Sequence, residues 1–158
     1  MEGDGTRSVL GTRPLTMERF ETKDSKGTAR IAAALAKRMK GGEVLALIGN
    51  LGAGKTTFAQ AFAKALGVKE RVQSPTFIFM HEHRLKRKAG PSVFVHADAY
   101  RGGVPELRLI GIEEYFGRPD AVVLIEWADR VKEMLPRKRV TVRLKHLGGD
   151  RRTVTIQG

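Results

Sequence analysis

The residues best equipped for chemistry are a run of eight, Gly49-Asn50-Leu51-Gly52-Ala53-Gly54-Lys55-Thr56, and two acids that each close an apolar run, Asp98 and Glu126. The run satisfies G-x-x-x-x-G-K-[ST] in full. Glycines at these spacings let backbone N–H groups turn inward around phosphate oxygens, where a Cβ would collide with the ligand. A helix starting at the end of the loop adds its positive N-terminal dipole. Lys55 is then expected to bridge the β- and γ-phosphates of a nucleoside triphosphate, and the Thr56 hydroxyl to coordinate Mg²⁺. The predicted phosphate cradle comprises Asn50, Leu51, Gly52, Ala53, Gly54, Lys55, Thr56 and Thr57.

Such a loop needs a second metal partner, an acid at the end of a neighbouring strand. Asp98 ends "VFVHAD" and Glu126 ends "VVLIE". A carboxylate leaving a buried strand faces the phosphates across the sheet's C-terminal edge and holds the metal directly or through water. One such acid alone is more often an ordinary strand-end carboxylate; two beside a complete loop point to at least one working acid. Asn50 is the only asparagine, so the guanine-reading N-K-x-D of GTPases is absent. No D-x-x-G follows the loop and no S-G-G-Q occurs, which argues against a GTPase or a transporter engine.

The elements that must position these groups are readable from pattern. "VLALIG" (44 to 49) and "AVVLIEW" (121 to 127) are continuous apolar runs of the kind central parallel strands show. "MERFET" (17 to 22) predicts an edge strand, and Asp24 or Ser25 caps a helix on which Ile31, Leu35 and Met39 share a face, with Gly41-Gly42 as its stop. Phe58, Phe62 and Leu66 predict a helix after the loop that ends at Gly67. "TFIFMHEH" (76 to 83) and "SVFVHAD" (92 to 98) predict a hairpin around Gly90-Pro91. "GIEEYFG" (111 to 117) predicts a short helix packing Ile112, Tyr115 and Phe116, and Pro136 ends another after the 121 to 127 run. "RVTVRLKHL" and "RRTVTIQG" flank Gly148-Gly149 as a terminal hairpin would. The sum is a three-layer α/β domain of P-loop type, with a mixed, mainly parallel sheet and a C-terminal antiparallel hairpin.

With 158 residues the chain reads as one domain, 17 to 158, behind a loose Gly/Thr-rich lead-in of sixteen residues that has no signal-peptide core. It has no cysteine and no apolar run long enough to cross a membrane, consistent with a reducing cytoplasm. The net charge of +12 is unevenly placed: seven Lys/Arg against one acid from Arg137 onward, and "RLKRK" at 84 to 88. These clusters are either solvated surface or sites for phosphate backbones or acidic partner surfaces. His81-x-His83 has metal-compatible spacing but no third ligand nearby in sequence.

"GNLGAGKTTFAQAFAKALG", "SPTF" (74 to 77), "HADAYR" (96 to 101), "GIEEYF" and "IEW" (125 to 127), in this order, closely resemble the bacterial TsaE (YjeE) family. The likeness runs from about Ser25 to Leu135. The family is the small P-loop ATPase of tRNA threonylcarbamoyladenosine (t6A) synthesis. The resemblance implies Glu126 as the acidic metal partner and Asp98 as an acid needed for hydrolysis. It also implies Thr76 in a switch-like segment near the γ-phosphate, and Trp127 beside the nucleotide. It further implies ATP and Mg²⁺ as cofactors and TsaD and TsaB as partners, which place threonylcarbamoyl on adenosine 37 of ANN-decoding tRNAs. ATP turnover is thought to reset that complex, with tRNA contacted inside it and no membrane involved. One position departs: many members carry Asp where this chain has Asn50, which removes a negative charge near the phosphates.

Two rivals remain at this level. A small-molecule kinase shares the size and loop, with the hairpin at 76 to 98 lining an acceptor pocket. A non-hydrolysing nucleotide-binding RNA adaptor would leave Asp98 and Glu126 idle.

Overall fold

The computed structural model describes residues 17–75 and 78–158; the lead-in and Thr76 lie outside them. The order of elements is β1 (Met17–Thr22), α1 (Ser25–Ala36), β2 (Val44–Ile48), α2 (Lys55–Leu66), β3 (Met80–Arg84), β4 (Val93–Asp98), α3 (Val104–Leu109), a 3₁₀ turn at Ile112–Tyr115, β5 (Ala121–Glu126), a second 3₁₀ segment at Ala128–Met134, β6 (Val140–Gly148) and β7 (Arg151–Gln157). The described strands form one sheet in the order β1-β7-β6-β2-β5-β4-β3. Its four middle strands, β6, β2, β5 and β4, run parallel, and both flanks are antiparallel.

Two apolar layers close on this sheet. On one face α1 and α2 place Ile31, Leu35, Phe58, Phe62 and Leu66 against Leu45, Leu47, Phe94, Val122 and Leu124. On the other, Leu107, Ile112, Val131 and Met134 cover Val44, Ala46, Val95, Val123 and Ile125. Every residue of β4 and β5 is buried, so apart from His96 both runs stay apolar until their last acids. Phe62 packs against both Phe58 and Phe94, with ring centroids 6.4 and 5.9 Å apart. Burying one such ring is worth roughly 1.5–3 kcal/mol.

The local signals decide most of the boundaries. Asp24 is the N-cap of α1, its side chain accepting from the Gly27 N–H at 2.9 Å. Gly67 ends α2 at φ 112°. Gly41-Gly42 does not end α1. The helix stops at Ala36, and the N–H groups of Arg38 and Met39 bond back three residues to Leu35 and Ala36. That tightened turn keeps the Met39 side chain in the core, so the apolar spacing outlasts the helix. Gly41 serves a close approach instead: at φ +113°, a Cβ there would lie 1.8 Å from the Pro119 carbonyl oxygen.

Strand β3 begins later than the sequence pattern suggests, at Met80. Phe79 sits at φ 66° and donates its N–H to the Pro75 carbonyl, so the chain turns before it pairs. Helix α3 is an element that the sequence reading omits. It starts with Pro105 in its first turn and Glu106 accepting from the Gly103 N–H at 2.8 Å.

Candidate functional site

Strands β2, β4 and β5 end side by side, and their exits bring the chemistry together. The loop from Gly49 to Gly54 joins β2 to α2, as the motif requires. Gly52 and Gly54 take φ of 77° and 98°, a left-handed conformation that a side chain resists. Gly49 is fixed for a different reason: a Cβ there would come 2.7 Å from the Leu144 carbonyl of β6. Asp98 and Glu126 are register partners at the ends of β4 and β5, and both are buried.

Together these groups line a cavity of about 510 Å³, with Leu51, Gly52, Gly54, Lys55, Thr56, Thr57, Asp98, Glu126 and Trp127 on its wall. The position at the carboxyl ends of parallel strands is where α/β sheets place ligands. Asn50 and Ala53, also expected in the cradle, are not on this wall. Ala53 packs into the core, and its N–H closes a turn on the Asn50 carbonyl at 3.0 Å. Asn50 contributes backbone, its carbonyl accepting from the Ala53 N–H and from Lys55 Nζ. Thr76 is outside the described residues.

Lys55 is buried at the start of α2. Its Nζ donates to the Gly49 carbonyl and, at 2.8 Å, to that of Asn50, and it stands 4.1 Å from the centroid of the Trp127 ring. Burial holds its pKa below the ordinary lysine value, and the nearby charges of Glu126, Asp129 and Asp98 recover only part of that. Trp127 has φ 58°, strained for a non-glycine residue, and this turn swings its ring over the loop. The Tyr100 ring meets it with centroids 4.8 Å apart. Arg130 stacks on both rings and donates to the Tyr100 carbonyl at 2.6 Å.

Glu126 is held through one oxygen. Its Oε2 accepts from the Ser74 hydroxyl at 2.6 Å and from His96 Nε2 at 2.7 Å. Because a carboxylate only accepts, His96 donates from Nε2. Oε1 takes part in no bond among the described residues. Burial pushes this pKa up, but the His96 and Ser74 bonds and the Lys55 charge outweigh it, so the carboxyl titrates below the ordinary range. Asp98 accepts the Tyr100 N–H through Oδ1 at 2.8 Å. His83 Nδ1 pairs with Glu70 at 2.6 Å, away from these acids.

The arrangement fits a magnesium nucleotide. It offers a glycine cradle, a helix N-terminus, one buried ammonium, an exposed hydroxyl at Thr56 and an ionised carboxylate with one oxygen uncommitted. Thr56 and Glu126 are the residues that could hold the metal. Sequence reasoning missed Ser74, Arg130 and Arg152 as members of the site. Ser74 lies in the quoted "SPTF", Arg130 stands three positions after the unique tryptophan, and Arg152 carries no local signal.

A family model described as "Threonylcarbamoyl adenosine biosynthesis protein TsaE" matches residues 22–154, which span this whole constellation. The chain belongs to the TsaE family. It is 40% identical over 134 residues to the tRNA threonylcarbamoyladenosine biosynthesis protein TsaE of Bacillus subtilis, covering 85% of this chain and 79% of that one. It is 38% identical over 112 residues to the protein of the same name from Aquifex aeolicus, covering 70% and 76%. Among solved structures, YdiB from Bacillus subtilis superposes with a TM-score of 0.71 at 34% identity, covering 92% of this chain and 87% of that one. The three-layer fold and the tRNA t6A biosynthesis family expected from the motifs are thus both shown. No helix among the described residues is long and apolar enough to cross a membrane.

Proposed function

We propose that the chain is the ATP-hydrolysing component of the t6A machinery. The observation that carries this reading is the convergence of Lys55, Thr56, Asp98 and Glu126 on one cavity beneath the P-loop. The loop N–H groups and Lys55 bind the phosphates, and Trp127 walls the site beside them. Thr56 and Glu126 would hold Mg²⁺, which would supply neutralising charge to the phosphate oxygens. Asp98 orients the attacking water, and the family resemblance alone assigns Thr76 a part in hydrolysis. Ser74 and His96 keep Glu126 ionised and aimed.

By likeness to the TsaE family, turnover is slow alone and coupled to partners, TsaD and TsaB, whose complex it drives or resets in the cytoplasm. Steady-state ATP hydrolysis by the chain, alone and with TsaB and TsaD, tests this. Stimulation by the pair is expected; a formed complex with unchanged turnover, or phosphate passed to a small acceptor, would refute it.

The charge pattern supports tRNA contact inside that assembly. The basic hairpin β6–β7 and the Arg84 to Lys88 turn lie toward opposite edges of the sheet. Only the hairpin adjoins the P-loop, through Arg152. Neutralising Arg143, Lys145 and Arg151 together is expected to reduce the salt slope of tRNA association by about one to three. An unchanged slope would remove the hairpin from the tRNA surface.

A further inference from the structure

The P-loop is gripped from outside by a residue that the motif does not contain. Arg152 lies on β7, where its backbone pairs with Thr22 of β1 on one side and His146 of β6 on the other. From this braced position its side chain crosses to the loop. Nε donates to the Ala53 carbonyl at 3.1 Å and Nη2 to the Gly52 carbonyl at 3.1 Å. Nη1 donates to the carbonyls of Gly149 and Arg151 at 3.2 and 3.0 Å, tying the same guanidinium to the hairpin turn. Its Nε stands 3.6 Å from where a Cβ on Gly54 would be, so glycine there also makes room for it.

A guanidinium has five N–H donors. Four are given to backbone carbonyls here, which leaves one on Nη2. An arginine meant to neutralise a phosphate would keep its fork open. This one lines the rim of the cavity but spends its fork on the carbonyls of the loop itself. A trans peptide points its C=O and N–H in opposite directions. Holding the Ala53 carbonyl outward therefore fixes the Gly54 N–H on the side away from Arg152. The Gly52 bond does the same for the preceding peptide, whose Ala53 N–H closes the turn on the Asn50 carbonyl.

We propose that Arg152 is a positioning residue that clamps the P-loop in its phosphate-binding conformation, acting on the loop peptides and not on the γ-phosphate. The nucleotide part of this inference rests on the proposed function; the clamp itself does not. It follows that Arg152 supports every nucleotide that uses the loop, ATP and ADP alike, while the chemical step at saturation is spared.

Arg152→Gln and Arg152→Lys, with Arg30→Gln on the exposed side of α1 as the charge control, test it in two ways. The first is titration with fluorescent ATP and ADP analogues together with kcat and KM for ATP. R152Q is expected to weaken both nucleotides by about tenfold, the scale of losing charged hydrogen bonds. KM rises with it, and kcat stays within about threefold. R152K, which keeps the charge but cannot make the fork, falls between, and R30Q matches the parent. The second is amide exchange of the 49–57 segment without nucleotide, which should be faster in R152Q alone. Affinities and exchange both within twofold of the parent would overturn the clamp. Loss of ATP affinity with ADP affinity intact would overturn it too, by placing the side chain on the γ-phosphate. Failure of the parent chain to bind either nucleotide would sink the functional reading, while the exchange comparison would still decide the clamp.

Discussion

Lys55→Ala is expected to reduce ATP turnover by about 10² to 10³, the loss seen when one preorganised charge donor is taken from a site. The lysine is buried and its charge is poorly solvated, so a phosphate anion is a better partner for it than the two carbonyls and the indole face it now meets. Alanine removes that charge while leaving the helix start intact, since the side chain projects from the first residue of α2. The fold should therefore survive. Trp127 is the sole tryptophan and touches Lys55, so its emission isolates this site. The parent should show a saturable emission change with Mg-ATP, and the variant none over the same range. A variant that keeps both turnover and the emission change would remove Lys55 from the phosphate site.

Glu126→Gln separates metal binding from packing. The amide keeps the shape of the side chain, and its oxygen can still accept from Ser74 and His96 where Oε2 does now. Stability at neutral pH should fall by no more than about 1–2 kcal/mol, the scale of exchanging charged for neutral hydrogen bonds. The negative charge is lost, so hydrolysis should drop by about 10² and the Mg²⁺ dependence of nucleotide binding should flatten.

The pH behaviour follows from the same contacts. The carboxyl of Glu126 titrates below its ordinary value in the folded chain. Its stabilisation is therefore present above the unfolded-state pKa and is lost as pH falls through the lower folded one. Denaturant titrations across the acid range should show a steeper loss for the parent than for Glu126→Gln. Parallel curves, or a glutamine variant with undiminished Mg²⁺-dependent turnover, would contradict the assignment.

What the chain revealed in advance follows from how local each signal is. The P-loop is contiguous, and β2 and β5 are buried on both faces, so motif and apolar run sit in one stretch of text. The two acids were visible because each ends such a run. The end of α1 was misread because Met39 stays inward after the helix has finished. The start of β3 was misread because Phe79, a residue that reads as strand, takes a left-handed turn. Ser74 and His96 meet Glu126 across 52 and 30 residues, and Arg152 meets Gly52 across 100. Contacts of that span are made by the sheet order, which no local pattern encodes.

Under the proposed function the loop and Glu126 together hold a magnesium nucleotide. Calorimetric titration of the chain with ATP, in the presence and absence of Mg²⁺, measures this most directly. One-to-one saturable binding that tightens when Mg²⁺ is added is the expected result. Absence of binding up to about 1 mM, the upper end of ordinary substrate affinities, would contradict it.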